Sequence, residues 1–216
     1  MLDDERERVA AAARRLAAEG LVLGTAGNVS ARAGDLVAVT PTGGVLERLA
    51  AEEVAVVDLE GAHVDGPFAP TSELGLHLGI YRRFQTGAVV HTHAPMGTAL
   101  ACVVDEVPVV HYAMLGLGGA VRVAAYATFG TSELAELALE ALEGRTAALL
   151  SNHGTINHAA DVEAAVEGAL LLEWACTVYW RAAAIGRPRV LDESDLAAVA
   201  DQIAGRGYGA LQGPGG

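Results

Sequence analysis

The 216-residue sequence contains no lysine, and its 14 basic residues are all arginine. This absence excludes lysine Schiff-base chemistry, a P-loop lysine and a pyridoxal phosphate anchor. Aromatic residues make up only 5%, and the two cysteines, Cys102 and Cys176, lie far apart in apolar stretches. They read as reduced thiols in the core of a cytoplasmic protein rather than as a disulfide framework. Positive charge is also scarce. The 27 acidic residues bring the formal net charge to -13, which argues against a nucleic-acid footprint. The N-terminus is acidic where a signal peptide would be basic and then apolar, so secretion is not expected. The uncharged run Val107 to Val121 is interrupted by His111 and several glycines, and falls short of the ~20 apolar residues that span a bilayer.

What is present is a hydrophobic fraction of 52%, enough for a real core, and the length fits one domain over residues 1–216. Val9, Ala12, Ala13 and Leu16 recur at helical spacing, and Gly20 stops that helix. Val-rich runs at 35–39 and 54–58 predict strands, as do Ala88 to His91 and Thr146 to Leu150. Helices are predicted over about 70–84, from Pro95 onward, and over 131–143, 161–185 and 192–205. Residues 107–125, with glycines at their middle, predict two strands joined by a flexible connection. The alternation of strands and helices implies a layered α/β fold whose strand order stays open. The closing Gly-Pro-Gly-Gly predicts a frayed tail.

Four local patterns carry chemistry. In His91-Thr92-His93 the two imidazoles project to one face of a strand and can supply two corners of a zinc tetrahedron, or else form an exposed pair at a strand end. In Ser151-Asn152-His153-Gly154 an apolar strand delivers a third histidine beside a glycine turn. Glu73, at a helix start, either complements the helix dipole or serves a metal as ligand and base; His77, one turn on, either orients Glu73 or packs in the core. His63, His111 and His158 read as structural or exposed. Anion binding without lysine has three candidate turns: Gly24 to Ser30, Thr40 to Gly44, and Thr71-Ser72. Each offers backbone amides and hydroxyls to a phosphate, and each alone is more often only a turn.

These segments, together with Tyr126-Ala127-Thr128-Phe129-Gly130-Thr131, resemble the class II aldolases of the aldolase/adducin family over nearly the whole chain. The resemblance implies a three-layer α/β/α fold around a mixed, mainly antiparallel sheet, with a mobile tail from about residue 207. It implies a C4 homotetramer with active sites at subunit boundaries, and a phosphorylated sugar as partner. One zinc ion per chain would be held by His91, His93, His153 and Glu73, with Glu73 also the acid/base. Phosphate would be held at Thr25, Gly27, Asn28, Thr42, Gly43, Thr71 and Ser72. Tyr112, Phe129 and Tyr208 would serve the aldehyde part. The implied reaction is retro-aldol cleavage of a ketose 1-phosphate, L-fuculose 1-phosphate foremost, to dihydroxyacetone phosphate and L-lactaldehyde. Without lysine for an imine sink, a Lewis acid must stabilise the enediolate. Pentulose-5-phosphate 4-epimerases and sugar-phosphate dehydratases share the resemblance, although the epimerase pattern has Asp where this chain has Glu73. Adducin-like interaction domains lack the full histidine set. Thr71 stands where a serine is usual, and Gly44-Val45-Leu46 lacks an aromatic and a lysine often found there.

Overall fold

The computed structural model describes residues 1–206; Tyr208 and the expected tail lie outside them. The helices are α1 (Asp3–Ala18), α2 (Leu74–Arg83), α3 (Pro95–Ala101), α4 (Ser132–Leu142), α5 (Val162–Ile185) and α6 (Glu193–Arg206). The strands are β1 (Asn28–Ala33), β2 (Leu36–Val39), β3 (Ala55–Asp58), β4 (His63–Asp65), β5 (Ala88–Thr92), β6 (Glu106–Val107), β7 (Val121–Ala124), β8 (Ala147–Leu150) and β9 (Gly154–Ala159). They form one sheet in the order β4-β3-β2-β1-β5-β9-β8-β7-β6. Neighbours are antiparallel except β7 and β8.

Alternation along the strands sorts side chains between two helical layers. Val29, Ala31, Ala38 and Val90 pack with Val9, Leu16 and Ala165, so α1 and α5 cover one face. Val37, Val39, Val57 and Val89 pack with Leu78, Ile80, Ala138 and Leu142, so α2 and α4 cover the other. The expected three-layer α/β/α architecture with a mixed, mainly antiparallel sheet is what the chain adopts. No helix among the described residues is long and apolar enough to cross a membrane.

Several expectations need correction. The stretch 107–125 does join two strands, β6 and β7, but their link holds a 3-10 turn rather than only a flexible connection. Between β6 and β7 lies a 3-10 turn, Tyr112–Leu117, started by His111, whose side chain accepts the Ala113 N–H at 3.1 Å. It ends at Gly118, where φ is 88° and a Cβ would come within 2.9 Å of the Arg145 Cα. Cys102 is exposed rather than in the core, while Cys176 is buried, and its burial beside Glu173 pushes the thiol up to about 12. Strands β1 and β9 add to the expected elements, and His158 sits on β9, stacked on Phe84 at 5.0 Å, shortly before α5.

Candidate active site

The three polar turns are joined by their own backbone. Leu46 N–H donates to Gly24 O at 3.2 Å, Thr42 N–H to Ala69 O at 3.0 Å, and Thr71 N–H to Thr40 O at 3.0 Å. Turns distant in sequence thereby become one wall. At Gly27, φ is 95° and a Cβ would meet the Val22 side chain at 2.7 Å and the His91 carbonyl at 3.0 Å, so only glycine allows this approach to β5.

Against that wall stand the histidines. His91, near the end of β5, is fully buried, and its Nδ1 lies 2.8 Å from the Thr155 carbonyl. A carbonyl only accepts, so the proton sits on Nδ1 and the Nε2 lone pair is left for the centre. That Nε2 is 3.0 Å from His93 Nε2 and 3.2 Å from Glu73 Oε2. His153 enters from the loop between β8 and β9, its Nε2 3.4 Å from Glu73 Oε1. Asn152 before it has φ 54°, a left-handed conformation that asparagine tolerates. Gly154 after it is required by space: a Cβ would overlap the Thr92 carbonyl oxygen and press on the rings of His91 and His93 at 3.3 Å.

The donor set fits a metal. One ligand atom from each histidine lies within 4.8 Å of the others. The edge of a tetrahedron with arms of ~2.0 Å is ~3.3 Å, close to the separations observed. Glu73 Oε1 and His153 Nδ1 are buried without a hydrogen-bond partner among the described residues. Burial pushes the Glu73 carboxyl up, but while His91 Nε2 holds a proton in place of a metal, its hydrogen bond and charge, with help from Asn28 and His153, outweigh burial and hold the group well below the usual carboxylate range. Burial, aided by neighbouring His91, lowers His93 to about 4 and lowers His153 as well. An ionised carboxylate with neutral imidazoles is the state that metal ligation demands.

Thr25, Gly27, Asn28, Thr42, Gly43, Thr71 and Ser72 all line one cleft of about 440 Å3 with Glu73, His93 and His153. Phe129 lines it too, 64% exposed at its mouth. Tyr112 does not: it lies on the 3-10 turn, 40% exposed and stacked on His111. Sequence reasoning passed over Tyr126 and Asn152, which also line the cleft; the positive φ of Asn152 leaves no mark in sequence beyond the residue type. His77 does not touch Glu73 and reaches it through Asn28. A larger cleft of about 810 Å3 lies at the C-terminal end of α2, beside Arg32, Arg82 and Arg83, away from the metal-ligating cluster.

A model of the family "Class II Aldolase and Adducin N-terminal domain" matches residues 7–180. A 5-methylthioribulose-1-phosphate/5-deoxyribulose-1-phosphate aldolase of Rhodospirillum rubrum is 42% identical, over 89% of this chain and 87% of the relative. A 5-deoxy-D-ribulose 1-phosphate aldolase of Bacillus thuringiensis is 37% identical, over 96% and 99%. The solved structure of an L-fuculose 1-phosphate aldolase superposes with a TM-score of 0.89 at 33% identity, covering 93% of this chain and 96% of that one.

Proposed function

The chain belongs to the class II aldolase and adducin N-terminal domain family and is a metal-dependent aldehyde-lyase, and on that premise we propose that it cleaves a ketose 1-phosphate to dihydroxyacetone phosphate and a short aldehyde. The observation that carries this reading is the meeting of Glu73, His93 and His153, backed by the buried His91, with the lysine-free polar turns in one cleft. A 5-deoxypentulose 1-phosphate is the first substrate to expect, because two relatives that cover most of this chain carry that name. L-Fuculose 1-phosphate comes next, on the likeness to the solved aldolase. Both are sugars that end in a methyl group, and Tyr126, Ala127 and Phe129 give the cleft an apolar portion for it.

In this reading Thr25, Gly27, Thr42, Gly43, Thr71 and Ser72 hold the phosphate through amides and hydroxyls, which fixes the reacting carbons by remote binding energy. A divalent ion, zinc by the ligand preference of three imidazoles and a carboxylate, would be held by His91, His93, His153 and Glu73 and would supply Lewis-acid stabilisation of the charge that C–C cleavage leaves on the phosphorylated fragment. Glu73 delivers a proton to the carbon that was C3 of the ketose and removes it in the reverse direction. A tyrosine hydroxyl gives its proton to the aldehyde oxygen in the aldol direction, and its phenolate takes the C4 hydroxyl proton in cleavage, with the tyrosine and Glu73 returned to their resting protonation by exchange with solvent. Tyr112 does not line the cleft of its own chain, so this role belongs with a C4 tetramer in which a neighbour supplies the group. The assembly, the single-domain organisation over 1–216, the cytoplasmic location and the role of Tyr208 are parts of the same proposal.

The test is a panel of ketose 1-phosphates offered to zinc-loaded protein, with dihydroxyacetone phosphate detected by coupled NADH oxidation. Release of that product from 5-deoxyribulose 1-phosphate or L-fuculose 1-phosphate supports the reading. Conversion of a pentulose 5-phosphate to its epimer, with no release, would overturn it.

A further inference from the structure

Behind Glu73 runs a buried row of polar side chains that the reaction does not touch. Strand β1 turns Asn28 and Ser30 toward α2, two residues or ~6.6 Å apart. Glu73 and α2 present Glu73, His77 and Tyr81 every fourth residue, ~6 Å apart. The two repeats nearly match, so the side chains interleave. Asn28 Nδ2 lies 2.9 Å from Glu73 Oε2, and Asn28 Oδ1 meets His77 Nε2. His77 Nδ1 is 2.7 Å from Ser30 Oγ, which is 2.7 Å from the Tyr81 hydroxyl. Ser30 and His77 are fully buried, and Asn28 and Tyr81 are nearly so.

The direction of every bond in the row follows by elimination. The Glu73 carboxylate only accepts, so the Asn28 NH2 faces it and the Asn28 carbonyl faces His77. That carbonyl only accepts, so His77 donates from Nε2. Burial, reinforced by His91, holds His77 down to about 3, so the ring is neutral and its Nδ1 carries a lone pair. Ser30 therefore donates to Nδ1, and its oxygen accepts from the Tyr81 hydroxyl. All four protons point along the row toward Glu73 Oε2. Oε1 has no hydrogen-bond partner among the described residues, which leaves it as the oxygen for proton exchange.

Apolar residues at Ser30, His77 and Tyr81 would fill the same space without the cost of burying polar groups. The row's end at the reactive carboxylate supplies a reason for that cost. We infer that Tyr81, Ser30 and His77 are positioning residues that act through Asn28 to fix the orientation of the Glu73 carboxylate; this rests on the acid/base reading of Glu73 given above. Asn28 sets the tautomer of His77, and Ser30 supplies the donor that holds its Nδ1 lone pair. Without that hydroxyl the lone pair is buried unpaired, the ring is freed to turn away from the Asn28 carbonyl, and the amide no longer holds Glu73 in one orientation.

The experiment uses zinc-loaded protein labelled with nitrogen-15 histidine. The parent at neutral pH is expected to show His77 as the neutral Nε2–H tautomer, and Ser30→Ala to keep that tautomer with an Nε2–H that exchanges faster with solvent. In steady state Ser30→Ala should lower kcat by about 10- to 100-fold, the effect of a misplaced catalytic group, with KM changed less than about twofold. Placed on Glu73→Gln, the same change should lower kcat no further. Tyr81→Phe, which keeps the ring volume, should move kcat in the same direction by less, and it stands in if Ser30→Ala fails to fold. An Nδ1–H tautomer in the parent would overturn the inference, as would an equal loss of kcat on the Glu73→Gln background. If the parent cleaves no ketose 1-phosphate, the reading of the site fails by itself, and the tautomer still decides the direction of the row.

Discussion

Glu173 accepts the backbone N–H of Gly97 at 2.8 Å, and its other oxygen accepts that of Met96 at 2.9 Å. A carboxylate on α5 thus caps the first turn of α3, which begins two residues after His93. It occupies the place where a helix N-terminus favours an anion, and it ties the exit of the His91-Thr92-His93 segment to the long helix.

Glu173→Ala should therefore destabilise the metal-free protein by about 1–3 kcal/mol, the cost of losing hydrogen bonds to a charged group. Its zinc affinity should also fall, because His93 is held by the capped segment. Urea unfolding and a zinc competition titration check both. An unchanged midpoint and unchanged affinity would show the cap to be without consequence.

Metal content is the next expectation. The parent should carry about one divalent ion per chain, and His93→Ala should lose it, since three imidazoles cannot be reduced to two without opening the site. Elemental analysis after dialysis reads the result. Full zinc occupancy in the His91/His93 double alanine variant would contradict the ligand set.

Asn28 and Ser72 separate two roles within one cleft. Asn28 is 3% exposed with both ends of its amide engaged by Glu73 and His77, whereas Ser72 is exposed on the cleft wall. Ser72→Ala should raise KM for the phosphorylated ketose with little change in kcat. Asn28→Ala should act mainly on kcat, through Glu73. The reverse pattern would place the phosphate against the Asn28 side chain.

Acid stability follows from the buried histidines. His77 and His93 titrate near 3 and 4 in the folded chain against about 6.5 when unfolded, so between about pH 6.5 and pH 4 the unfolded state binds more protons. Stability therefore falls as pH falls through that window. The urea midpoint of metal-free protein should be lower at pH 5 than at pH 7, and His77→Gln should flatten the dependence.

Much of this was legible in the sequence, and the remainder fails for identifiable reasons. The apolar strand Ala147–Leu150 and the i, i+2 histidines at and just past the end of β5 announce themselves by composition and spacing. Strand β1 does not, because Asn28 and Ser30 are polar yet buried against α2, so the segment after Gly27 reads as a turn. The same row explains why Glu73, His77 and Tyr81, four residues apart, look like an ordinary amphipathic pattern until β1 is seen opposite them. Strand β9 is hidden by Gly154, which is there to let the chain pass His91 and His93. Cys102 misleads because its apolar neighbours in sequence belong to α3, whose end leaves the thiol exposed.

The central claim is that Glu73 moves a proton at carbon beside a metal held by His91, His93 and His153. The most direct measurement is deuterium uptake at the hydroxymethyl carbon of dihydroxyacetone phosphate in D2O, followed by NMR with no aldehyde present. The account predicts stereospecific exchange of one proton by the zinc-loaded parent, loss of exchange on chelation, and a rate about 10²–10⁴-fold lower in Glu73→Gln with its zinc retained. No exchange by the parent, or parental exchange in Glu73→Gln, would contradict it.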